Sequence, residues 1–238
     1  DDMKGGYYRP AYVHALAAGL DAQGNVTGWQ HRIVGQSIVA GTAFEAEMIK
    51  DGIDATSVEG ASTLPYDIPN LRVELHSPKV GVPVLWWRSV GSTHTAYSTE
   101  TFVDELAAAA GKDPVAFRRA LLAKHPRHVA ALDLAAAKAG WGKPLTRGKA
   151  GERRGRGVAV HESFGTVVAQ VAEVTVKNKE LRVDRVVCAV HCGVAVNPDI
   201  IRAQMEGGIG FGLGHILYAD VPMEDGRISD ATRLEAAR

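Results

Sequence analysis

The sequence predicts an α+β fold in which mixed β-sheets pack against a layer of helices. Apolar and polar residues alternate around a short polar turn over residues 11–40, and they alternate again over residues 169–190. Between these regions, residues 98–140 place apolar side chains at helical spacing, with short breaks. Strands grouped on either side of a run of helices are typical of α+β proteins. The composition, 46% hydrophobic and 23% charged residues in a chain of 238, is that of a globular protein.

The N-terminal region begins with a predicted hairpin. Its turn is the string DAQGN, which carries Gly24 and Asn25, and alternating side chains flank it over residues 11–40. The stretch that follows contains several glycines and prolines and is predicted to be irregular. Two short strands are predicted next, LRVEL at residues 71–75 and VPVLWW at residues 82–87.

Three helices are predicted in the middle of the chain, each with a start or stop signal. The first begins at Ser98, where the period of the apolar residues changes, and it stops at Gly111. The second has Asp113 as its N-cap and Pro114 at its first helical position. The third follows Pro126 and ends at a glycine. Short turns between them favour an antiparallel helical layer against a sheet.

The second half of the chain predicts a linker, a hairpin and one more helix. Residues 142–157 are basic and rich in glycine, as expected of a solvated linker. The hairpin beyond it turns at residues 178–179. A glycine-rich helix is then predicted from its cap at Asn197 to about Tyr218. Residues 224–238 form a polar tail.

Charge, cysteine content and hydropathy exclude several classes of protein. Basic and acidic residues number 27 each, so the chain has no general attraction to nucleic acid or to an anionic membrane. Cys188 and Cys192 would lie roughly 13 Å apart on one extended strand, too far for a disulfide. The sequence contains no uncharged apolar stretch of the roughly 18 residues that a membrane span needs.

The cysteines and histidines admit a metal site, but other roles are commoner for them. Cys188, His191 and Cys192 could act as soft metal ligands, although the run lacks a C-x-x-C pair and a second ligand cluster. Buried strand cysteines are the more frequent case. His125 and His128 flank a proline between two helices, and we expect them to be capping or surface residues.

The glycines of the last helix raise the possibility of a dinucleotide site. Gly208, Gly210, Gly212 and Gly214 recur at every second residue. A dinucleotide fingerprint requires its glycines directly after a strand, at the start of a helix, and these come at least a turn into the helix. A nicotinamide-dependent dehydrogenase is therefore a minor alternative. The main expectation is that small residues let another backbone approach closely, despite a cost of about 1 kcal/mol per glycine.

Arg88 follows two tryptophans and precedes a loop of small and hydroxylated residues. In a structural interpretation, its guanidinium extends into solvent from the edge of the core. In a functional interpretation, it binds an anion. Ser89, Gly91, Ser92 and Thr93 would then offer hydroxyls and open backbone N–H groups just before a helix N-terminus. Gln204, an amide on the first turns of the glycine-rich helix, is a second candidate for binding a heterocycle.

Taken together, several strings resemble the large, molybdenum cofactor-binding subunit of the xanthine oxidase family. The resemblance is greatest to the isoquinoline 1-oxidoreductase beta subunit and to related bacterial aldehyde dehydrogenase subunits. The strings that carry it extend over nearly all of the chain: GGYYRP, WQHRIVGQS, YDIPNLRVELHSPKVGVPVLWWRSVGSTHTAYSTETFVDELAAAAGKDPVAFRRALL, HPRHVAALDLAAAKAGWG, VAVHESFGTVVAQVAEV and CGVAVNPDIIRAQMEGGIGFGLGHILY.

The resemblance implies an activity, a cofactor and partners. Such subunits hold molybdenum on a pterin dithiolene, which is often extended by a cytosine nucleotide. They hydroxylate an electron-poor carbon of an N-heterocycle or an aldehyde with oxygen from water. Electrons pass to iron–sulfur clusters on a small partner subunit, and in some members onward to a cytochrome c. Relatives occur in the periplasm or the cytoplasm of bacteria, and the sequence leaves the compartment open.

The resemblance also implies which residues contact the cofactor. Arg88 matches the family arginine that reaches the cofactor, and Gln204 matches a family glutamine near the pterin. We expect Ser89 and Gly91 beside that arginine, and Gly208 on the glycine-rich helix, to line the same site. No residue of the chain is assigned as a metal ligand.

The resemblance further implies that the chain is an interior piece of a longer subunit. The MGQG-type and GGGFG loops are expected upstream of it, and the GEP-type motif with the catalytic glutamate is expected downstream. Neither Glu162 nor Glu206 sits in such a motif, so no catalytic residue is assigned. We expect residues 1–141 and 158–223 to be two parts of the cofactor-binding region, joined by the linker. The piece is expected to be inactive alone, and a cofactor-free scaffold is the alternative.

Overall fold

The computed structural model describes residues 6–219, 223–224 and 227–228. Its contacts divide the chain into two compact units, Asp1–His191 and Cys192–Arg238. The first unit contains two three-stranded sheets, one short strand pair and the helical layer, and the second contains the glycine-rich helix.

The first unit opens with the predicted hairpin. Strand β1 (Tyr12–Leu20) pairs antiparallel with β2 (Val26–Gly35), and side chains of β1 alternate between exposed and half-buried. Gly24 closes the turn with a φ of 71°, in the left-handed region that glycine adopts without strain. The hairpin prediction is confirmed because alternation and turn chemistry point to the same structure.

The expected irregular stretch holds only short elements before the chain returns to the first sheet. The elements in chain order are α1 (Glu45–Met48), β3 (Ile49–Lys50), β4 (Ile53–Asp54), α2 (Ala55–Val58) and β5 (Leu71–His76). Strand β5 pairs in parallel with β2, so the order of the sheet is β1-β2-β5.

The prediction of a strand at residues 82–87 is wrong. Its only pairing among the described residues is a single bridge between Tyr8 and Val84. The Tyr8 N–H donates to the carbonyl of Pro83 at 2.9 Å, and Leu85 donates to the carbonyl of Tyr8 at 3.2 Å. A proline has no N–H to donate, so this stretch cannot build a continuous ladder.

The three predicted helices are present as α3 (Ser92–Ala109), α4 (Pro114–Leu121) and α5 (Pro126–Ala139). Helix α3 begins at Ser92, earlier than the predicted Ser98. Its first turns are rich in hydroxyls, which weakens the apolar period on which the prediction depended. The hydroxyls bond inside the helix instead, as where Thr99 Oγ1 donates to the Thr95 carbonyl at 2.7 Å.

The end signals of α4 and α5 are confirmed. The carboxylate of Asp113 accepts hydrogen bonds from the N–H groups of Val115 and Ala116, at 3.0 and 2.9 Å. Gly140 ends α5 in the left-handed region, with a φ of 67°.

The second sheet is an antiparallel meander of β6 (Arg153–Ser163), β7 (Thr166–Lys177) and β8 (Glu180–His191). Its second turn, at residues 178–179, has both φ angles positive, as the turn prediction requires. Because β6 begins at Arg153, the expected linker over residues 142–157 is shorter than predicted. The last part of that stretch pairs with β7.

One core joins both three-stranded sheets and the three long helices of the first unit. Helix α5 packs on β7 and β8, so residues on both sides of the expected linker belong to one unit and the division falls after His191. The core is built from apolar side chains of all these elements: Val26, Trp29, Val103, Leu106, Leu122, Leu132, Val160, Val167 and Val171.

The second unit contains α6 (Pro198–Leu217) and the short pair β9 (Met223–Glu224) and β10 (Arg227–Ile228). The side-chain oxygen of Asn197 accepts from the Asp199 and Ile200 N–H groups, which confirms the predicted cap. Most of the predicted polar tail lies outside the described residues. Within the described part of the chain, no helix is both long and apolar enough to cross a membrane.

Candidate functional site

The Arg88 turn, residues 87–91, connects the loop before α3 to the start of that helix. Ser89 and Val90 both have positive φ, 69° and 46°. For an L-residue this conformation costs about 1–2 kcal/mol, and a β-branched residue such as valine rarely adopts it. Such strain persists only where surrounding contacts hold it, and it is concentrated at functional sites.

Arg9 and two hydroxyls hold the turn in place. Arg9 Nη1 donates to the Arg88 carbonyl at 3.2 Å and to Thr93 Oγ1 at 2.6 Å. Ser89 Oγ donates to the same carbonyl at 2.5 Å and lies 2.6 Å from Thr93 Oγ1. The Arg9 guanidinium also lies over the Trp87 ring, 5.6 Å from its centroid. The Arg88 backbone is therefore fixed, and its side chain is exposed.

The start of α3 differs from the sequence expectation in one respect. The Ser92 N–H donates to Glu59 Oε1 at 3.1 Å, so it is not open to an external anion. Burial raises the pKa of Glu59, and hydrogen bonds from the Ser92 and Gly91 N–H groups act against this increase. A Cβ at Gly91 would clash with the Thr56 carbonyl, so glycine is required there for close packing on α2.

The five predicted cofactor-binding residues fall into two groups. Arg88, Ser89 and Gly91 lie together on the Arg88 turn in the first unit. Gln204 and Gly208 lie four residues apart on α6 in the second unit and therefore share one face of that helix. Gln204 is exposed and Gly208 is half-buried.

A chain of three histidines lies next to the Arg88 turn, and sequence reasoning missed it. In this histidine chain, His31 Nε2 lies 2.8 Å from His14 Nδ1, and His14 Nε2 lies 3.1 Å from His94 Nδ1. Tyr12 stacks on His94 with ring centroids 3.6 Å apart. The register of the hairpin could have revealed the contact between His14 and His31. His31 pairs with Leu16, and Leu16 and His14 are two residues apart on the same face of β1.

Burial keeps the histidine chain uncharged at neutral pH. It lowers the pKa of His31 to about 4 and that of His94 to about 3, with the neighbouring imidazoles acting in the same direction. The pKa of His14 is lowered for the same reason, burial. Arg9 adds a further small decrease at His94. Each ring therefore carries one N–H at neutral pH.

A cavity of about 310 Å³ is lined in part by Ser92, the first residue of α3. Ser92 Oγ lies 3.1 Å from His161 Nε2 at its wall, and burial lowers the pKa of His161. His128 also lines the cavity and is only 3% exposed, so it is neither a cap nor a surface residue. Its side chain reaches the sheet because α5 packs there, with Nε2 3.4 Å from Glu162 Oε2. These groups could hold a small polar ligand by hydrogen bonds.

The cysteines and the glycine-rich helix offer little for metal or dinucleotide binding. Among the described residues, no group of three His, Cys, Asp or Glu side chains is arranged to hold a metal ion. Burial raises the pKa of the Cys188 thiol, and His191 Nδ1 accepts from Arg127 Nε at 3.2 Å. The glycines of α6 come more than two turns after its cap, which disfavours a dinucleotide site at the helix start.

Family models and relatives agree on what the chain is similar to. Two models, each described as a molybdopterin cofactor-binding domain, match residues 1–122 and 96–235. The beta subunit of isoquinoline 1-oxidoreductase from Brevundimonas diminuta is 31% identical over 229 residues, 95% of this chain and 29% of the relative. A nicotinate dehydrogenase subunit from Pseudomonas putida is 28% identical over 241 residues, 92% of this chain and 20% of the relative.

A solved structure agrees with the fold. The aldehyde oxidoreductase from Desulfovibrio desulfuricans ATCC 27774 superimposes with a TM-score of 0.51 at 16% identity, over 74% of this chain and 21% of that one. This likeness confirms the predicted α+β fold with mixed sheets and a helical layer. The chain spans less than a third of the length of each of these proteins.

Proposed function

The chain belongs to the family of molybdopterin cofactor-binding domains, those of the molybdenum-binding subunits of the xanthine oxidase family, and on this basis we propose its role. It supplies part of the cofactor site of a molybdenum-dependent oxidoreductase. That enzyme oxidises an N-heterocycle or an aldehyde with oxygen from water. The names of the relatives, which refer to isoquinoline, nicotinate and aldehyde, support this class of substrate.

The Arg88 turn is the observation that carries this proposal. Arg88 is exposed, its carbonyl is held by Arg9, and the backbone that follows it is strained. This arrangement is expected of a residue that is placed to meet a ligand. A guanidinium donates in a fork that matches the oxygens of a phosphate. The Arg9 guanidinium, which donates to the Arg88 carbonyl and to Thr93 Oγ1, adds a second positive charge at this turn, and two positive charges suit an anionic cofactor group better than a neutral one.

The residues of the chain bind and orient the cofactor, and the bound molybdenum supplies the redox chemistry. We assign Arg88 to the anionic oxygens of the cofactor, and Ser89 to holding the Arg88 carbonyl. Gly91 allows the turn to pack closely on α2. Gln204 donates and accepts hydrogen bonds toward the pterin, and Gly208 on the same helix face leaves room for it. The pterin is proposed in its molybdopterin form, with a cytosine nucleotide as the extended variant.

The partners follow from the same proposal. Electrons pass to iron–sulfur clusters on a small partner subunit and, in some assemblies, onward to a cytochrome c. Because the chain spans a fifth to a third of its relatives, we propose that it is inactive alone and that the catalytic base lies in another segment of the complete subunit. The alternative function is a cofactor-free scaffold.

Molybdenum content tests the proposal. In the complete subunit, made in a host that produces the cofactor, we expect about one molybdenum per chain by mass spectrometry. Arg88→Ala should weaken cofactor binding by about 10- to 100-fold, because charge-assisted hydrogen bonds contribute about 1.5–3 kcal/mol. The control is Arg72→Ala, an exposed arginine paired with Glu74 on β5, which should keep its molybdenum.

Two results would overturn it. A wild-type subunit without molybdenum would favour the cofactor-free scaffold. An Arg88→Ala subunit that retains the metal as well as Arg72→Ala does would remove Arg88 from the site.

A further inference from the structure

The histidine chain ends next to a small cavity behind the Arg88 turn. Its two terminal nitrogens, His31 Nδ1 and His94 Nε2, are buried and have no hydrogen-bond partner among the described residues. His94 lines a cavity of about 20 Å³, together with Arg9 and residues of the Arg88 turn. Arg9 Nε is also buried without a partner among those residues. Two unsatisfied polar atoms therefore belong to side chains that line one small cavity.

The cavity is large enough to hold a water molecule. A buried water also needs two to four polar partners. Leaving a buried donor without a hydrogen bond is costly, so a water that accepts from such donors is strongly favoured.

The chemistry of the histidine chain sets the direction of its hydrogen bonds. Three neutral rings in series can carry their protons all on Nε2 or all on Nδ1. The Nδ1 arrangement leaves an N–H of His31 buried without an acceptor, whereas the Nε2 arrangement leaves only an unused lone pair there. Buried N–H groups without a partner are the rarer case in proteins. His31 therefore donates to His14, His14 donates to His94, and His94 presents an N–H to the cavity.

We propose that this cavity binds one water molecule, which accepts hydrogen bonds from His94 Nε2 and Arg9 Nε and so couples the histidine chain to the Arg88 turn. The water is held by a side chain of α3 and by the same guanidinium that holds the Arg88 carbonyl. His94 is thus a positioning residue. It acts on Arg88 through the water and Arg9 and does not touch the cofactor itself. The coupling to cofactor binding depends on the proposed function, but the water site does not.

Nuclear magnetic resonance of the full chain labelled with ¹⁵N-histidine tests the water site directly. At pH 7 we expect His14, His31 and His94 as neutral Nε2–H tautomers in two-bond ¹H–¹⁵N spectra. We also expect a nuclear Overhauser effect between the His94 ring N–H and a long-lived water. An imidazolium form or an Nδ1–H tautomer at His94, or the lack of a water signal there, would overturn the site.

Substitutions in the complete subunit test the coupling. His94→Phe keeps the stack on Tyr12 but removes both nitrogens, and we expect a loss of bound molybdenum of threefold or more. His94→Gln keeps a donor near the position of Nε2 and should retain most of the metal, which a purely steric role would not explain. His76→Phe, at an exposed histidine of β5, is the control and should have no effect.

The outcomes separate the two proposals. If the wild-type subunit holds no molybdenum, the proposed function fails, while the spectra still decide the water site. If the spectra detect the water and His94→Phe binds molybdenum as the wild type does, the coupling is wrong. Should His94→Phe fail to fold, His94→Leu takes its place: a loss of molybdenum that His94→Gln does not share supports the coupling, and molybdenum at the wild-type level in His94→Leu contradicts it.

Discussion

At the residue scale, Gly91 determines how closely the Arg88 turn can approach α2. A Cβ at this position would clash with the Thr56 carbonyl and would also contact the Glu59 side chain. The backbone oxygen cannot move without disturbing α2, whose Thr56, Ser57 and Val58 are buried. Glycine is needed here because of packing, since its own φ of −68° suits any residue. The Arg88 turn therefore depends on a missing side chain as well as on the hydrogen bonds of Arg9.

Gly91→Ala tests this packing constraint. We expect the free energy of unfolding to fall by about 1–3 kcal/mol, the range for an extra methyl group forced into a packed site. Urea unfolding of the chain measures it, with Gly81→Ala as the control because a Cβ there would meet no described atom within 4 Å. Equal stability of the two variants would contradict the close approach between the turn and α2.

At the scale of elements, a buried ion pair connects α3, α4 and β6. Arg118 on α4 is fully buried, and its Nε lies 2.9 Å from Glu100 Oε2 on α3. Glu100 also accepts from the Tyr66 hydroxyl at 2.6 Å and from the Val160 N–H at 2.8 Å. Burial raises the pKa of Glu100, while the charge of Arg118 acts against this increase. Removing Arg118 would leave the Glu100 carboxylate buried without its cation, whereas Arg118 also pairs with Asp104.

We expect Arg118→Met to destabilise the chain by about 3–5 kcal/mol, because it leaves Glu100 buried without its cation. The matched control is Arg119→Met. Arg119 is the next residue along α4, and its exposed guanidinium pairs with Asp133, with Nε 3.3 Å from Oδ2. An exposed pair of this kind contributes at most about 1 kcal/mol. Chemical unfolding of both variants checks the contrast, and a similar loss in the two would show that the buried pair is not needed.

For helix α6 the sequence predicted both its bounds and a close approach of another backbone to its glycines. Its bounds agree with the sequence within a residue, since Asn197 caps it and Leu217 is its last residue. At three of the four predicted glycines, no described residue makes the close approach that was expected. A Cβ added at Gly210, Gly212 or Gly214 would meet no described atom outside the helix within 4 Å.

At the scale of the whole molecule, the histidine chain links stability to pH. Burial lowers the pKa of His31 to about 4 and that of His94 to about 3, below the usual 6.5 of an unfolded chain. Between these values the unfolded chain binds more protons than the folded one. Stability therefore falls as the pH decreases from about 6.5, by up to about 1.4 kcal/mol per pH unit for each proton taken up.

We expect urea unfolding to show decreasing stability from pH 6.5 to pH 4.5. The raised pKa values of Glu59 and Glu100 act in the opposite direction, so the histidine contribution is the difference between the wild type and His31→Gln. Carboxylates with a lowered pKa, such as Glu74 at about 2, affect stability mainly below this window. A pH dependence that His31→Gln leaves unchanged would contradict the role of burial at this histidine.

The sequence by itself determined the elements whose signals are local. The carboxylate of Asp113 caps α4, Gly140 stops α5 and Asn197 caps α6, each as predicted. Residues 178–179 form the expected turn. These predictions hold because the groups that satisfy each helix end or turn lie within a few residues of it. Arg88 also came from a local string, and its contact with the cofactor remains a prediction.

Only the tertiary structure decided which distant residues meet at the site. Arg9 reaches the Arg88 carbonyl across 79 positions of the chain, and the histidine chain draws on β1, β2 and α3. His128 is buried because α5 packs on the second sheet, although its neighbours in the sequence suggested a surface position. Periodicity states which face of an element is apolar, but not which other element covers it. That choice depends on how all the apolar faces pack into one core.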